Sequence, residues 1–124
     1  MCIRDRGTIA LYRVPDPERC GVVETDATGR IVRFVEKPAP GQVFTNLVNA
    51  GIYLLEPAVL DHLPATAPYD FGRDFFPRLL AAGVPLYGYP RQDDEYLVDI
   101  GTPENYARAQ EAWPAIWAAG PVRR

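Results

Sequence analysis

Three short clusters hold residue types that could do chemistry: Phe34-Val35-Glu36-Lys37-Pro38, Asn49-Ala50-Gly51-Ile52-Tyr53 and Val98-Asp99-Ile100-Gly101-Thr102-Pro103. In the first, lysine is a compact cation suited to a single phosphate, glutamate can accept two hydroxyls, and Pro38 fixes the backbone where the chain would leave a sheet. Neighbouring side chains of a regular strand point to opposite faces, so Glu36 and Lys37 can share one ligand only if the strand has ended there. Otherwise they form a solvated charge pair of the kind that contributes little. In the second cluster, small residues let a ligand approach the backbone, and the Asn49 amide can both donate to and accept from hydroxyls. The same residues also suit a bulge at Gly51 and a turn at Asn49. In the third, Asp99 interrupts an apolar run before a helix start. A carboxylate there is costly to bury unless it pairs, holds a metal, caps the helix or contacts the turn at Gly101.

The elements that must position these clusters follow from pattern and punctuation. Thr8 to Val14 alternates as a strand, and Pro15, Asp16 and Pro17 end it. Gly21–Thr25 and Arg30–Glu36 form a hairpin around Asp26-Ala27-Thr28-Gly29, with Gly29 free to take positive φ. Asn49–Leu55 is a short buried strand, and Pro57 opens a short helix through Leu63. Asp70 caps a second helix carrying Phe75, Phe76, Leu79 and Leu80, with Pro77 in its first turns and Gly83 closing it. Leu86–Tyr89 and Tyr96–Ile100 are further strands. Thr102-Pro103-Glu104 starts a helix expected to run to Trp113, where Pro114 ends or kinks it. Strands and helices alternate after an initial hairpin, which implies an α/β fold with a mixed sheet and helices packed on it.

Bulk properties narrow the field. With 124 residues, 48% hydrophobic and 23% charged, the chain suits one globular core. Its net charge of −3 supplies no basic field, so nucleic acid is not an expected partner. No run approaches the roughly 20 apolar residues that span a bilayer, and a soluble, cytoplasmic protein is expected. Cys2, Cys20 and the single His62 are too few for a disulfide framework or a zinc site. His62 is expected to be structural or to face solvent. The leader Met1–Arg6 fits neither strand nor helix and is set apart as non-native sequence, leaving 7–113 as the folded region and 114–124 as a tail.

Arg19-Cys20-Gly21-Val22-Val23-Glu24, then Phe34 to Pro38, then Asn49 to Tyr53, then Asp99-Ile100-Gly101-Thr102-Pro103-Glu104-Asn105-Tyr106 stand in one order. That order and spacing resemble the sugar-1-phosphate nucleotidyltransferases, and among them most nearly the mannose-1-phosphate guanylyltransferases. Heptose-1-phosphate guanylyltransferases and glucose-1-phosphate thymidylyl- and uridylyltransferases are similar too. The resemblance implies the C-terminal half of a Rossmann-like fold for nucleotide-diphospho-sugar transfer. It also implies sugar contacts from Gly21, Glu36 and Asn49, the 1-phosphate on Lys37, and Mg²⁺ held by Asp99, with Lys37 and Asp99 as the catalytic pair. The implied reaction is attack of a sugar 1-phosphate oxygen on the α-phosphorus of a nucleoside triphosphate, releasing pyrophosphate. The implied partners are those two substrates, with homo-oligomer formation open. Members begin with a Gly-rich, basic triphosphate loop and carry a second metal-binding aspartate, and this chain has neither. It is therefore expected to be a C-terminal fragment without a complete active site, either from an enzyme or from a regulatory relative that senses nucleotide sugars.

Overall fold

The computed structural model describes residues 6–93 and 95–120, which fall into two compact units, one ending at Pro90 and one beginning at Arg91. The first unit is a mixed five-stranded sheet in the order β3-β2-β4-β1-β5. Its strands are β1 (Gly7–Arg13), β2 (Gly21–Thr25), β3 (Ile31–Glu36), β4 (Leu47–Leu55) and β5 (Leu86–Pro90). β1 lies antiparallel to β4 and parallel to β5, and β2 is antiparallel to both β3 and β4. The expected α/β class with a mixed sheet is what forms.

One face of the sheet builds the core. Ile9, Leu11, Val23, Ile31, Phe34, Leu47 and Leu86 pack with Val59 from the 3-10 turn Pro57–His62 and with Phe75, Phe76 and Leu79. The last three come from a π-helical turn, Phe71–Phe75, that runs directly into α1 (Phe76–Ala81). Phe76 anchors this layer, meeting Phe34 at 5.3 Å and Tyr53 edge-on at 4.9 Å between ring centroids. Asp70 caps the π turn as expected, accepting from Arg73 N–H at 2.8 Å, while Asp74 returns a bond to Asp70 N–H at 2.7 Å. Pro77 sits in the first turn of α1, where its missing N–H costs little.

The β2–β3 hairpin forms around Gly29 at φ 83. Its turn is held by Asp26, whose Oδ1 accepts from Thr28 N–H at 2.8 Å, Thr28 Oγ1 at 2.6 Å and Arg30 N–H at 3.1 Å. These bonds favour the charged carboxylate and hold Asp26 below the usual aspartate range, the Thr28 hydroxyl contributing most.

In the second unit, α2 (Pro103–Ala119) starts as expected, with Thr102 accepting from Asn105 N–H at 3.2 Å. Two expectations fail there. Tyr96–Ile100 is not a strand, because residues 95–100 pair with no described strand and an apolar run alone makes no ladder. α2 also does not stop at Trp113 but continues through Pro114 to Ala119, so residues 114–119 are helix rather than tail. Proline removes one helical bond, and the good helix formers on both sides outweigh that loss. Residues 121–124 and Met1–Asp5 lie outside the described residues. Arg6 continues the sheet's bonding pattern, donating from its N–H to Pro85 O and accepting at its carbonyl from Glu56 N–H.

Candidate functional site

Three of the residues singled out in the sequence lie in one row across the sheet. Gly21 of β2 is the register partner of Glu36 of β3, and the pairing of Val22 with Val48 carries Gly21 alongside Asn49 of β4. Glu36 is the last residue of β3. Lys37 follows with φ 46, the left-handed region that non-glycine residues rarely occupy, and donates its N–H to Cys20 O at 3.0 Å. The strand has thus ended where it must for Glu36 and Lys37 to serve one ligand. Lys37 is exposed and Pro38, just beyond it, is buried. Such a conformation costs on the order of 1–2 kcal/mol and persists only where the surroundings impose it.

The Glu36 carboxylate folds back over two glycines. A methyl group added at Gly21 would lie 2.7 Å from Glu36 Oε2, and one added at Gly72 would collide with the same oxygen while lying 3.4 Å from Asp70 Oδ1. Both glycines are buried. Burial raises the Glu36 carboxyl above the usual glutamate range, and the nearby Asp70 charge raises it further, with Lys37 opposing both. Asp70 and Gly72 were legible only as a cap and a helix residue, since their approach to Glu36 is a tertiary contact that pattern reading does not carry.

β4 is distorted where the second cluster lies. Ile9 pairs with Tyr53 and Leu11 with Asn49, so Ala50, Gly51 and Ile52 face the single residue Ala10. Gly51 takes φ 76, and Asn49 Oδ1 accepts from Gly51 N–H at 2.9 Å. The fold-back brings Asn49 Nδ2 to 2.8 Å from Tyr53 Oη, a contact that side chains four residues apart in a straight strand cannot make. Both sequence-level readings of Gly51 and Asn49, bulge and turn, hold at once. Tyr53 was expected only as a strand residue, yet its ring stacks on Phe71 at 5.6 Å and its hydroxyl joins the cluster. Burial raises the Tyr53 hydroxyl above its usual range, the Asn49 bond opposes this, and the Glu36 and Asp70 charges add to it.

Asp99 lies in the second unit and is exposed, which corrects its expected place inside an apolar strand. Its Oδ1 accepts from Gly101 N–H at 2.9 Å, which is the turn contact weighed above, and leaves Oδ2 outside that bond. Among the described residues no group of three or more His, Cys, Asp or Glu side chains is gathered to hold a metal. His62 is half-buried at the end of its 3-10 turn and lines a cleft with Arg6, Val59 and Val84, none of them members of the Glu36 cluster. No helix of the described residues is long and apolar enough to cross a membrane.

Comparison with known proteins places the chain. The family model described as nucleotidyl transferase matches residues 4–115. The chain is 44% identical over 111 residues to UTP–glucose-1-phosphate uridylyltransferase of Synechocystis sp., covering 86% of this chain and 28% of that protein. It is 41% identical over 102 residues to mannose-1-phosphate guanylyltransferase of Mycobacterium tuberculosis, covering 82% and 27%. It is 38% identical over 110 residues to glucose-1-phosphate adenylyltransferase of Desulfitobacterium hafniense, again covering 82% and 27%. The chain therefore spans 27–28% of the length of these relatives. With a mixed sheet, the Glu36 cluster at its strand ends and a family match across most of its length, the chain belongs to the nucleotidyl transferase family.

Proposed function

We propose that this chain carries the sugar-phosphate side of a sugar 1-phosphate nucleotidyltransferase, with mannose 1-phosphate as the first candidate substrate and guanylyl transfer as the reaction of the whole protein. The observation that supports it most is the end of β3, where Glu36, Gly21 and Asn49 lie in one row and Lys37 is turned out of the strand at φ 46. In this reading Glu36 and Asn49 take sugar hydroxyls, the Gly21 backbone allows close approach, and Lys37 neutralises the 1-phosphate. Lys37 thereby holds the phosphate while one of its oxygens attacks the α-phosphorus of a nucleoside triphosphate and pyrophosphate leaves. Positioning and charge neutralisation are what such a transfer needs from a protein.

Asp99 is the proposed Mg²⁺ ligand. Its exposed carboxylate keeps Oδ2 outside the bond to Gly101, which fits one position in an oxygen sphere completed by phosphates and water. When bound, the ion would neutralise phosphate charge. Glucose 1-phosphate is the substrate to test beside mannose 1-phosphate, because relatives named for each sugar match this chain.

The test is calorimetric titration of the chain with both sugar 1-phosphates and with free mannose and glucose. The phosphorylated sugars are expected to bind more tightly, and Lys37→Ala to lose tenfold or more of that advantage, as a charged hydrogen bond of about 1.5–3 kcal/mol requires. Equal binding of phosphorylated and free sugars, or an unchanged advantage in Lys37→Ala, would remove Lys37 from the phosphate.

A further inference from the structure

The hydrogen bonds of the kinked segment of β4 have a fixed direction. The Gly51 backbone N–H can only donate, so the atom of Asn49 facing it at 2.9 Å must be the carbonyl oxygen. That orients the whole amide. Nδ2 is then the atom 2.8 Å from Tyr53 Oη, and because NH₂ can only donate, the phenol accepts. One Nδ2 hydrogen stays outside this chain of bonds, and so does the phenol's own hydrogen. The Tyr53 ring cannot swing away, being stacked on Phe71 at 5.6 Å and edge-on to Phe76 at 4.9 Å. Gly51 supplies the rest of the geometry: φ 76 is open to glycine, tolerated by asparagine and unfavourable for other side chains. A Cβ there would meet no atom within 4 Å, so the requirement is one of backbone conformation and not of space.

We propose that Gly51 and Tyr53 are positioning residues that clamp the Asn49 amide in one of its two orientations, so that Asn49 meets the sugar phosphate by donating its remaining Nδ2 hydrogen. The inference rests on the reading of this cluster as a sugar 1-phosphate site. An unclamped asparagine could flip and offer either its oxygen or its NH₂ to a ligand. The clamped one selects an acceptor, a hydroxyl lone pair or a phosphate oxygen, and spends no rotational freedom on binding. Tyr53 acts here through Asn49, and its ring packing is a separate, structural contribution.

The experiment uses the 124-residue chain with ¹⁵N labelling. The Asn49 side-chain NH₂ resonances are followed in Tyr53→Phe, Gly51→Ala and Gly51→Asn, and mannose 1-phosphate and glucose 1-phosphate are titrated against each. Tyr53→Phe keeps the ring and removes the acceptor. It is expected to move the Asn49 NH₂ signals, leave the backbone spectrum otherwise intact and weaken the sugar phosphate about tenfold. Gly51→Ala is expected to do the same by straining the kink, and Gly51→Asn to retain both signals and affinity because asparagine tolerates positive φ. Weaker binding in Tyr53→Phe with unmoved Asn49 signals would overturn the clamp and make Tyr53 a direct ligand contact. Unmoved signals and unchanged affinity in both Tyr53→Phe and Gly51→Ala would overturn it as well. Failure of the unmodified chain to bind either sugar phosphate would reject the site assignment, while the NH₂ signals would still decide whether the clamp exists.

Discussion

Glu36 stands in an environment that disfavours its ionised form. Its carboxylate lies in space that the missing side chains of Gly21 and Gly72 leave open, is partly desolvated, and is close enough to Asp70 to feel a like charge. Because its folded-state affinity for a proton is raised, its contribution to stability is present below the ordinary glutamate range and is lost as pH rises through the raised folded value. At neutral pH the ionised side chain is therefore a burden on the fold. Glu36→Gln should raise the melting temperature at pH 7 more than at pH 4. The gain should be small because solvent screens a partly exposed group. The same variant should weaken sugar phosphate binding, giving the opposed changes in stability and function expected of a site residue. Melting curves across pH for the two proteins decide this; a loss of stability at pH 7 in Glu36→Gln would show that the carboxylate supports the fold instead of straining it.

At the scale of elements, β5 forms one edge of the sheet and also bonds to the hairpin that forms the other. It pairs with β1 in parallel, and Gly88 N–H also donates to Gly29 O at 2.9 Å, so the tip of the β2–β3 hairpin leans on it. Gly88 allows this close approach: a methyl group there would collide with Leu11 Cδ1 and lie 3.0 Å from Thr25 Cγ2. Gly88→Ala should therefore destabilise the first unit by about 1–3 kcal/mol, as overpacking does, with a lower denaturant midpoint and an unchanged slope. A neutral Gly88→Ala would mean that the hairpin and β5 are not packed together.

What the sequence made legible divides along the range of the interactions. The Gly29 turn and the Asp70 and Thr102 caps rest on bonds within four residues, and each forms as expected. Tyr96–Ile100 looked like a strand because apolar residues cluster there, but a strand exists only with a partner. Pro114 was expected to end or kink the helix because its local cost is real, yet the helix continues past it among good helix formers. Within the site, Gly21, Glu36 and Asn49 were named together only through the family resemblance, and their lying in one row is a matter of strand register. The approach of Gly72 to Glu36 and the bending of β4 that joins Asn49 to Tyr53 depend on tertiary packing and on a bulge, which a period-two pattern cannot signal.

At the scale of the molecule, each of the two compact units carries its own residues of interest. The first has its own core and brings Gly21, Glu36, Lys37 and Asn49 to one region of the sheet, while the second presents Asp99 at a turn before α2. Relatives about three times as long match across most of this chain, and in the first unit the end of β3 is the proposed sugar 1-phosphate site. The most direct measurement is a map of backbone amide shifts on titrating the ¹⁵N-labelled chain with mannose 1-phosphate, using inorganic phosphate and free mannose as controls. Saturable shifts centred on Gly21, Glu36, Lys37, Asn49 and Gly72, larger for the sugar phosphate than for either control, are the predicted result. Shifts centred instead on the cleft beside His62, or none at these five residues at saturating sugar phosphate, would contradict it.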